Sequence, residues 1–309
     1  MCNNNNNHIF SQMYESGTRI LDKYVLRACI GSGAFGEVWN ADSLSTGQSV
    51  AVKMERIQGN PAPTLQYESR VLQLLHGSLG IPRLRYFGRK DDMNGIFMVT
   101  DLLGPSLETV AISPRFDLNA HDLQNPPPHH EAFITAVGRQ MMQRLRSVHS
   151  HSMLHRDVKP DNFLFARNPE LDLSRRALQA PIPLLYLIDF GMAKRITPIL
   201  VKKEGLRDVP LIGSARYASV FAHRGEPLGR RDDLISMMYS LIYMACGGAL
   251  PWMNHEEREI YYIKDNMTPS EICAGLSQRH ATQWPAILEL LHRMHAHDVP
   301  DYATIESLI

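Results

Sequence analysis

The chain carries no excess of either charge: Lys and Arg total 32, and so do Asp and Glu. A balanced chain has no global attraction for nucleic acid or for an anionic membrane surface, so its partners must be chosen by local features. Cysteine is scarce. Cys2, Cys29, Cys246 and Cys273 stand far apart, with no C-x-x-C pair and no framework spacing, which argues against a disulfide scaffold and for a reduced, intracellular setting. A long apolar run is also missing. The longest, Leu234 to Cys246, is interrupted by serines and is too short to cross a bilayer. The N-terminus has neither the basic flank nor the apolar stretch of a signal peptide. These absences lead to the expectation of a monomer in the cytoplasm, with nuclear entry open, that engages neither nucleic acid nor membrane. No segment repeats at a fixed period, which sets solenoids and propellers aside.

What is present is enough apolar material for a sizeable core: 309 residues, 44% of them hydrophobic, fit one large domain or two lobes. The polyasparagine tract Asn3 to Asn7 has nothing to pack, so residues 1–21 are expected to be disordered and the folded domain to run over 22–309.

The domain is organised around His155-Arg156-Asp157-Val158-Lys159-Pro160-Asp161-Asn162-Phe163, with Asp189-Phe190-Gly191 following. Phosphoryl transfer needs these residue types at these intervals. Asp157 is suited to orient a hydroxyl nucleophile and Lys159 to meet the transferred phosphoryl, while Asn162 and Asp189 offer oxygen ligands to Mg2+. Either short motif arises by chance. Both together, behind a glycine-rich loop and a lysine, make a specific combination.

That upstream loop is Ile30-Gly31-Ser32-Gly33-Ala34-Phe35-Gly36-Glu37-Val38. A lone G-x-G-x-x-G also opens dinucleotide-binding folds, but there a helix follows directly, whereas here a turn and the strand pattern Val50-Ala51-Val52-Lys53 follow. The hairpin reading places the glycines over ATP phosphates, Ala51 beside the nucleotide, and Lys53 within reach of the α- and β-phosphates. Residues 64–76 switch to helical periodicity, with Gly77 as C-cap. Glu68 on that helix is expected to hold Lys53 by an ion pair rather than to be one more surface glutamate. Strands resume at Leu84–Phe87 and Ile96–Val99. The segment 100–104 then reads as a hinge, in which the backbone of Asp101 and Leu103 takes the adenine edge and Thr100 sets the depth of the pocket.

The polar, proline-rich stretch from Ala111 to His130 is expected to be a surface loop, its paired histidines His129 and His130 solvated rather than metal-bound. A helix from Glu131 to Ser150 should bury Phe133, Val137, Met141, Leu145 and Val148. Arg167 to Pro183 reads as a charged excursion, and Lys194 to Ile212 as an activation segment. Residues 232–246 are apolar nearly all round, the mark of a helix buried at the centre of a lobe. One of its leading aspartates, Asp233, is placed to accept backbone donors from the catalytic stretch. His292, His295 and His297 read as exposed helix-end residues.

These residues resemble the casein kinase 1 family and its tau-tubulin kinase relatives, from about Asp22 to Tyr302. The likeness rests on Asp101 to Glu108, His155 to Phe163, Gly213 to Ser219 and Arg230 to Leu234, extended by Leu250-Pro251-Trp252 and Pro300-Asp301-Tyr302. It implies an α+β, two-lobed protein kinase fold, with a small, mostly β N-lobe over about 22–99 containing one key helix. The hinge would span 100–104, and a larger, mostly α C-lobe 105–309. It further implies ATP and Mg2+ as cofactors and protein substrates phosphorylated on Ser or Thr.

The chain departs from the family at Ser219-Val220-Phe221, where Ser-Ile-Asn is usual, which raises the question of packing beneath the activation segment. It departs again at Met253 to Glu259, acidic where the family is lysine-rich, and in the arginine expected before Gly213, which is shifted or replaced by the Leu206-Arg207 pair. Weaker preference for phosphate-primed or acidic substrates is the expectation. The alternative function is a catalytically silent scaffold that keeps the fold; no residue of the chemistry is absent to favour it.

Overall fold

The computed structural model describes residues 14–33, 36–57, 63–111, 128–167, 182–197 and 210–309. They form two compact units, one of residues up to 69 together with 83–102, the other of 70–82 together with 103–309.

The first unit is built on β-branched and aromatic alternation. Strands β1 (Arg19–Ile20), β2 (Tyr24–Ser32), β3 (Gly36–Ser43), β4 (Ser49–Arg56), β5 (Leu84–Lys90) and β6 (Gly95–Asp101) make one antiparallel sheet in the order β1-β2-β3-β4-β6-β5. Along β3, and along β4 as far as Met54, every second residue is buried. A period of two on a one-sided sheet gathers Trp39, Ala41, Val50, Val52, Met54, Phe97 and Val99 into one core. The turn from β2 closes through the Gly33 N–H on the Gly36 carbonyl at 2.9 Å, and a strand rather than a helix follows, as the hairpin reading requires. Helix α1 (Leu65–Leu74) buries Leu65, Val71 and Leu72 and gives way at Gly77, whose φ of +84° suits glycine.

The start of the chain corrects one expectation. Residues 14–21 are packed, not disordered: Ile20 is fully buried, β1 pairs with β2, and the Tyr14 hydroxyl donates to the Met93 carbonyl at 3.1 Å while its ring meets Phe97. Tyr14, Ile20 and Leu21 supply the apolar surface that the asparagine tract lacks. Residues 1–13 lie outside the described residues.

The second unit is mainly helical: α2 (Leu107–Ala111), α3 (Pro128–Ser150), α4 (Val220–His223), α5 (Arg230–Ala245), α6 (Glu257–Asn266), α7 (Pro269–Ile272), α8 (Gln278–Arg293) and α9 (Tyr302–Leu308). Every residue of α5 from Arg231 to Ala245 is buried, and α3 and α8 pack against it. The five apolar residues named for α3 are all buried. Short strands β7 (Met153–Leu154), β8 (Phe163–Phe165), β9 (Leu185–Leu187) and β10 (Lys194–Arg195) pair as β7 with β10 and β8 with β9.

Helix α3 begins at Pro128, three residues before the expected start, and so takes up both histidines. His130 is buried, and burial drives its pKa down to about 4, so it is not the solvated loop residue expected. His292 is likewise half-buried, its ring edge-on to Phe221 at 6.1 Å. Most of the proline-rich stretch (112–127), of the charged excursion (168–181) and of the activation segment (198–209, with Lys202, Lys203 and Arg207) falls outside the described residues. Among those described, no helix is long and apolar enough to cross a membrane.

Candidate functional site

In the first unit, Lys53 lies in β4 opposite Val38 of β3 and Met98 of β6. Its Nζ meets Glu68 Oε2 at 2.8 Å, and the Glu68 side chain is almost fully buried while the lysine remains partly open. A carboxylate withdrawn from water in this way needs its cation, and the pair fixes the ammonium at one place.

The glycine-rich segment divides between two strands, with Ile30, Gly31 and Ser32 in β2 and Gly36, Glu37 and Val38 in β3; Ala34 and Phe35 lie outside the described residues. Its glycines are not equivalent. A Cβ on Gly36 would fall 2.0 Å from the Met54 carbonyl oxygen, so strand pairing itself demands glycine there, whereas Gly33 borders open space. Glu37 does not behave as a loop residue. Strand alternation turns it inward on the side of Trp39, whose indole N–H donates to Glu37 Oε2 at 2.7 Å. Ala51 stands opposite Thr100, and Val50 opposite Asp101. The Asp101 carboxylate accepts from the Arg83 N–H at 3.0 Å and from Arg85 Nε at 2.8 Å. Leu103 begins the next stretch of the second unit.

In the second unit, strand pairing brings the metal-type ligands together. Phe163 pairs with Leu187, so Asn162 just before β8 and Ile188 just after β9 are neighbours, and the Ile188 N–H donates to the Asn162 carbonyl at 3.0 Å. Asp189 follows at once with φ +63°, a left-handed conformation that aspartate tolerates better than most residues. Asn162 Nδ2 donates to the Asp157 carbonyl at 2.8 Å and reaches Asp157 Oδ2 at 3.3 Å, which turns the amide oxygen the other way. One carboxylate and one amide oxygen form a hard donor set that fits Mg2+ carried in with phosphate oxygens.

Asp157 is held by donors on both oxygens. Ser214 gives its N–H and its hydroxyl to Oδ1, each at 3.0 Å, while Lys159 Nζ lies 2.8 Å from Oδ2. Lys159 Nζ also donates to Ser214 Oγ at 3.0 Å, closing a triangle. Gly213 makes this possible: its φ is +89°, and a Cβ there would lie 2.6 Å from the Arg156 carbonyl oxygen. The His155 ring spans the same turn, receiving the Asp157 N–H on Nδ1 at 3.3 Å and donating from Nε2 to the Ile188 carbonyl at 2.9 Å, which defines its tautomer. Phe190 packs edge-on to that ring at 5.1 Å.

Beneath the stretch from His155 to Asn162 lies Asp233, from the first turn of α5. It accepts the His155 N–H and the Arg156 N–H, each at 2.8 Å, and His149 Nε2 at 2.9 Å. Burial alone raises a carboxyl pKa, but the His149 and backbone contacts outweigh it here and hold Asp233 below the usual aspartate range. The neighbouring Asp232 goes the other way, raised by burial despite accepting from Ser219 Oγ at 2.5 Å and from the Gly229 N–H at 2.7 Å.

The question at Ser219-Val220-Phe221 has a structural answer. Ser219 caps α4 by accepting the Ala222 N–H, and Phe221 is buried under the Arg231 guanidinium, 3.4 Å from the ring centroid. Packing there is filled by a cation on an aromatic face.

Sequence reasoning missed Lys264. This buried lysine donates to the carbonyls of Ala215 and Ala218 at 2.7 Å and of Arg216 at 3.0 Å, and lies over the rings of Trp252 and Tyr239 at 4.8 and 5.0 Å. Burial pushes its pKa well below the ordinary lysine value. It thereby ties down the segment that presents Ser214 to Asp157. A signal existed, since Ile260 and Lys264 share a helix face at i, i+4 and Ile260 is buried. Ser214 and His149 were also missed, because nothing local to either residue marks its partner.

Among models of protein families, the one described as protein kinase domain matches residues 24–309.

Asp233→Ala is expected to cost about 3–5 kcal/mol of stability by leaving buried donors unpaired, measured by urea unfolding. Because the folded pKa of Asp233 is depressed, its stabilisation is complete above the ordinary carboxylate range and is lost as pH falls through the folded value. Asp233→Asn should therefore show a shallower acid limb of stability against pH than wild type. Lys264→Met, which keeps the stem and removes the ammonium, is expected to cost about 1–3 kcal/mol by orphaning the carbonyls, read from the same urea unfolding.

Proposed function

The chain belongs to the protein kinase family, and from that premise we propose that it is an active serine/threonine kinase of the casein kinase 1 type, transferring the γ-phosphoryl of ATP to serine and threonine hydroxyls of proteins. The observation that carries this reading is the arrangement at Asp157: a carboxylate held by Ser214, Lys159 and Asn162 before any substrate arrives. A preset carboxylate needs no reorganisation when a hydroxyl approaches.

In this reading Asp157 accepts the hydroxyl hydrogen and aims the oxygen. Lys159 offsets charge on the transferred phosphoryl. Lys53, held by Glu68, offsets charge on the nucleotide phosphates, and Asn162 and Asp189 hold the metal by their oxygens. Mg2+, when bound with ATP, supplies neutralisation of the phosphate charge. Lys159 two residues after Asp157 supports the Ser/Thr class, and the stretches from Asp101 to Glu108 and from Gly213 to Ser219 support the casein kinase 1 type.

Weaker preference for primed substrates belongs to the same reading. Glu256, Glu257 and Glu259 are exposed where a basic cluster would attract phosphate, and the Arg216 guanidinium is spread over the Tyr217 and Tyr243 rings at 5.8 and 5.9 Å.

The test is transfer from Mg2+-ATP to casein by wild type, Asp157→Asn and Asp189→Asn. Loss of a positioned base costs about 10²- to 10⁴-fold, so both variants should collapse while wild type transfers. If wild type is silent yet binds ATP, the scaffold reading replaces this one. On one peptide in primed and unprimed forms, similar turnover is expected; a strong primed preference would overturn the substrate reading.

A further inference from the structure

Glu55 lies two residues beyond Lys53 on β4, so both side chains leave the same face of the strand. It is buried at 5% exposure, and the contacts that hold it belong to the start of α1. Oε1 accepts the Thr64 hydroxyl at 2.6 Å and the Thr64 N–H at 3.3 Å, and Oε2 accepts the Leu65 N–H at 3.1 Å. These amides are among the donors that a helix leaves without intrahelical partners at its first turn, and a carboxylate there also suits the positive end of the helix dipole. Capping of this kind normally comes from the residue just before the helix. Here it comes from a strand.

Glu68, the residue that receives Lys53, sits one turn into the same helix. One strand therefore grips one helix at two points, Glu55 on Thr64 and Leu65, and Lys53 on Glu68. The two steps of strand from Lys53 to Glu55 span roughly 6.6 Å, and the four steps of helix from Thr64 to Glu68 span about 6 Å. The anchors match in spacing. A single ion pair leaves a helix free to pivot about the contact and to slide along its axis, whereas a second anchor at the helix start removes both freedoms.

We propose that Glu55 is a positioning residue for the Lys53–Glu68 pair, fixing the rotation and height of α1 so that the Glu68 carboxylate meets the lysine. The proposal rests on the kinase reading for its effect on activity, but not for its structural content.

The experiment compares wild type, Glu55→Gln, Glu68→Gln and the double variant, with Thr64→Val as a milder change that removes only the hydroxyl donor at an exposed position. Glutamine keeps the size of Glu55 but turns an acceptor into a donor facing an N–H. In steady-state transfer, Glu55→Gln is expected to lower kcat/KM for Mg2+-ATP by about ten- to a hundredfold, with Thr64→Val several-fold lower in the same sense. The effect of Glu55→Gln should vanish in the Glu68→Gln background, because a residue acting through the pair has nothing left to position. An equal loss in both backgrounds would overturn the proposal. Hydrogen exchange at the Thr64 and Leu65 amides is read in parallel on the same proteins. It should accelerate in Glu55→Gln while melting of the whole domain changes little, and unchanged exchange would overturn the tether. Should wild type transfer no phosphate, the kinase reading fails by itself and the exchange result still decides the tether.

Discussion

A carboxylate taken out of water must be given donors, and in this protein the consequences of that requirement begin at Asp233. The residue is carried into the interior by α5, whose buried length leaves its first turn no choice of surroundings. Its donors are the His155 and Arg156 amides and the His149 ring, so the start of the His155–Asn162 stretch is fixed to a helix buried from Arg231 to Ala245. Arg156 is pinned where its backbone is least comfortable, at φ +69°. From there the turn through Asp157 to Asn162 is set, and pairing of β8 with β9 returns the chain to bring Asp189 alongside. The donors on Asp157 are thus the last layer of an arrangement anchored in the core, which is how its carboxylate keeps a defined direction.

The same logic recurs with other signs and other elements. Glu68 is buried against Lys53, Glu55 against the start of α1, and Lys264 against three carbonyls and two ring faces. None of these charges is a surface pair of small worth. Each is a buried group whose partners belong to a segment that bears or borders the candidate site, so the energy of satisfying it is spent on holding that segment. Arg231 over Phe221 is the variant on this theme in which an aromatic face joins a polar partner, the Met294 carbonyl, in taking the guanidinium.

How much of this could be read from the amino acids depends on range. Alternation in β3 and β4, the helical period of α3 and the apolar run of α5 are local signals, and the elements stand where those signals put them. The candidate site residues were singled out by signals of the same local kind: Asp157, Lys159, Asn162 and Asp189 sit at fixed intervals, and Lys53 and Glu68 at the ends of clear patterns. What escaped depends on contacts distant in sequence. Lys264 reaches back to Ala215, and Ser214 to Asp157; the i, i+4 spacing from Ile260 marks the helix face of Lys264, but spacing names the partner of neither residue. Tyr14 and Ile20 were overlooked because a polar tract beside them dominates the local composition, and His130 because two histidines after prolines look like a loop until a helix begins under them.

The most direct test of the account is acceptor identity. Matched peptides differing only in serine, threonine or tyrosine at one position, incubated with the protein and labelled Mg2+-ATP, would be resolved by phosphoamino-acid analysis. A carboxylate flanked by Lys159 and Ser214 should give phosphoserine and phosphothreonine and no phosphotyrosine. Label on tyrosine alone, or label in which tyrosine equals the other two, would contradict the role assigned to the residues around Asp157.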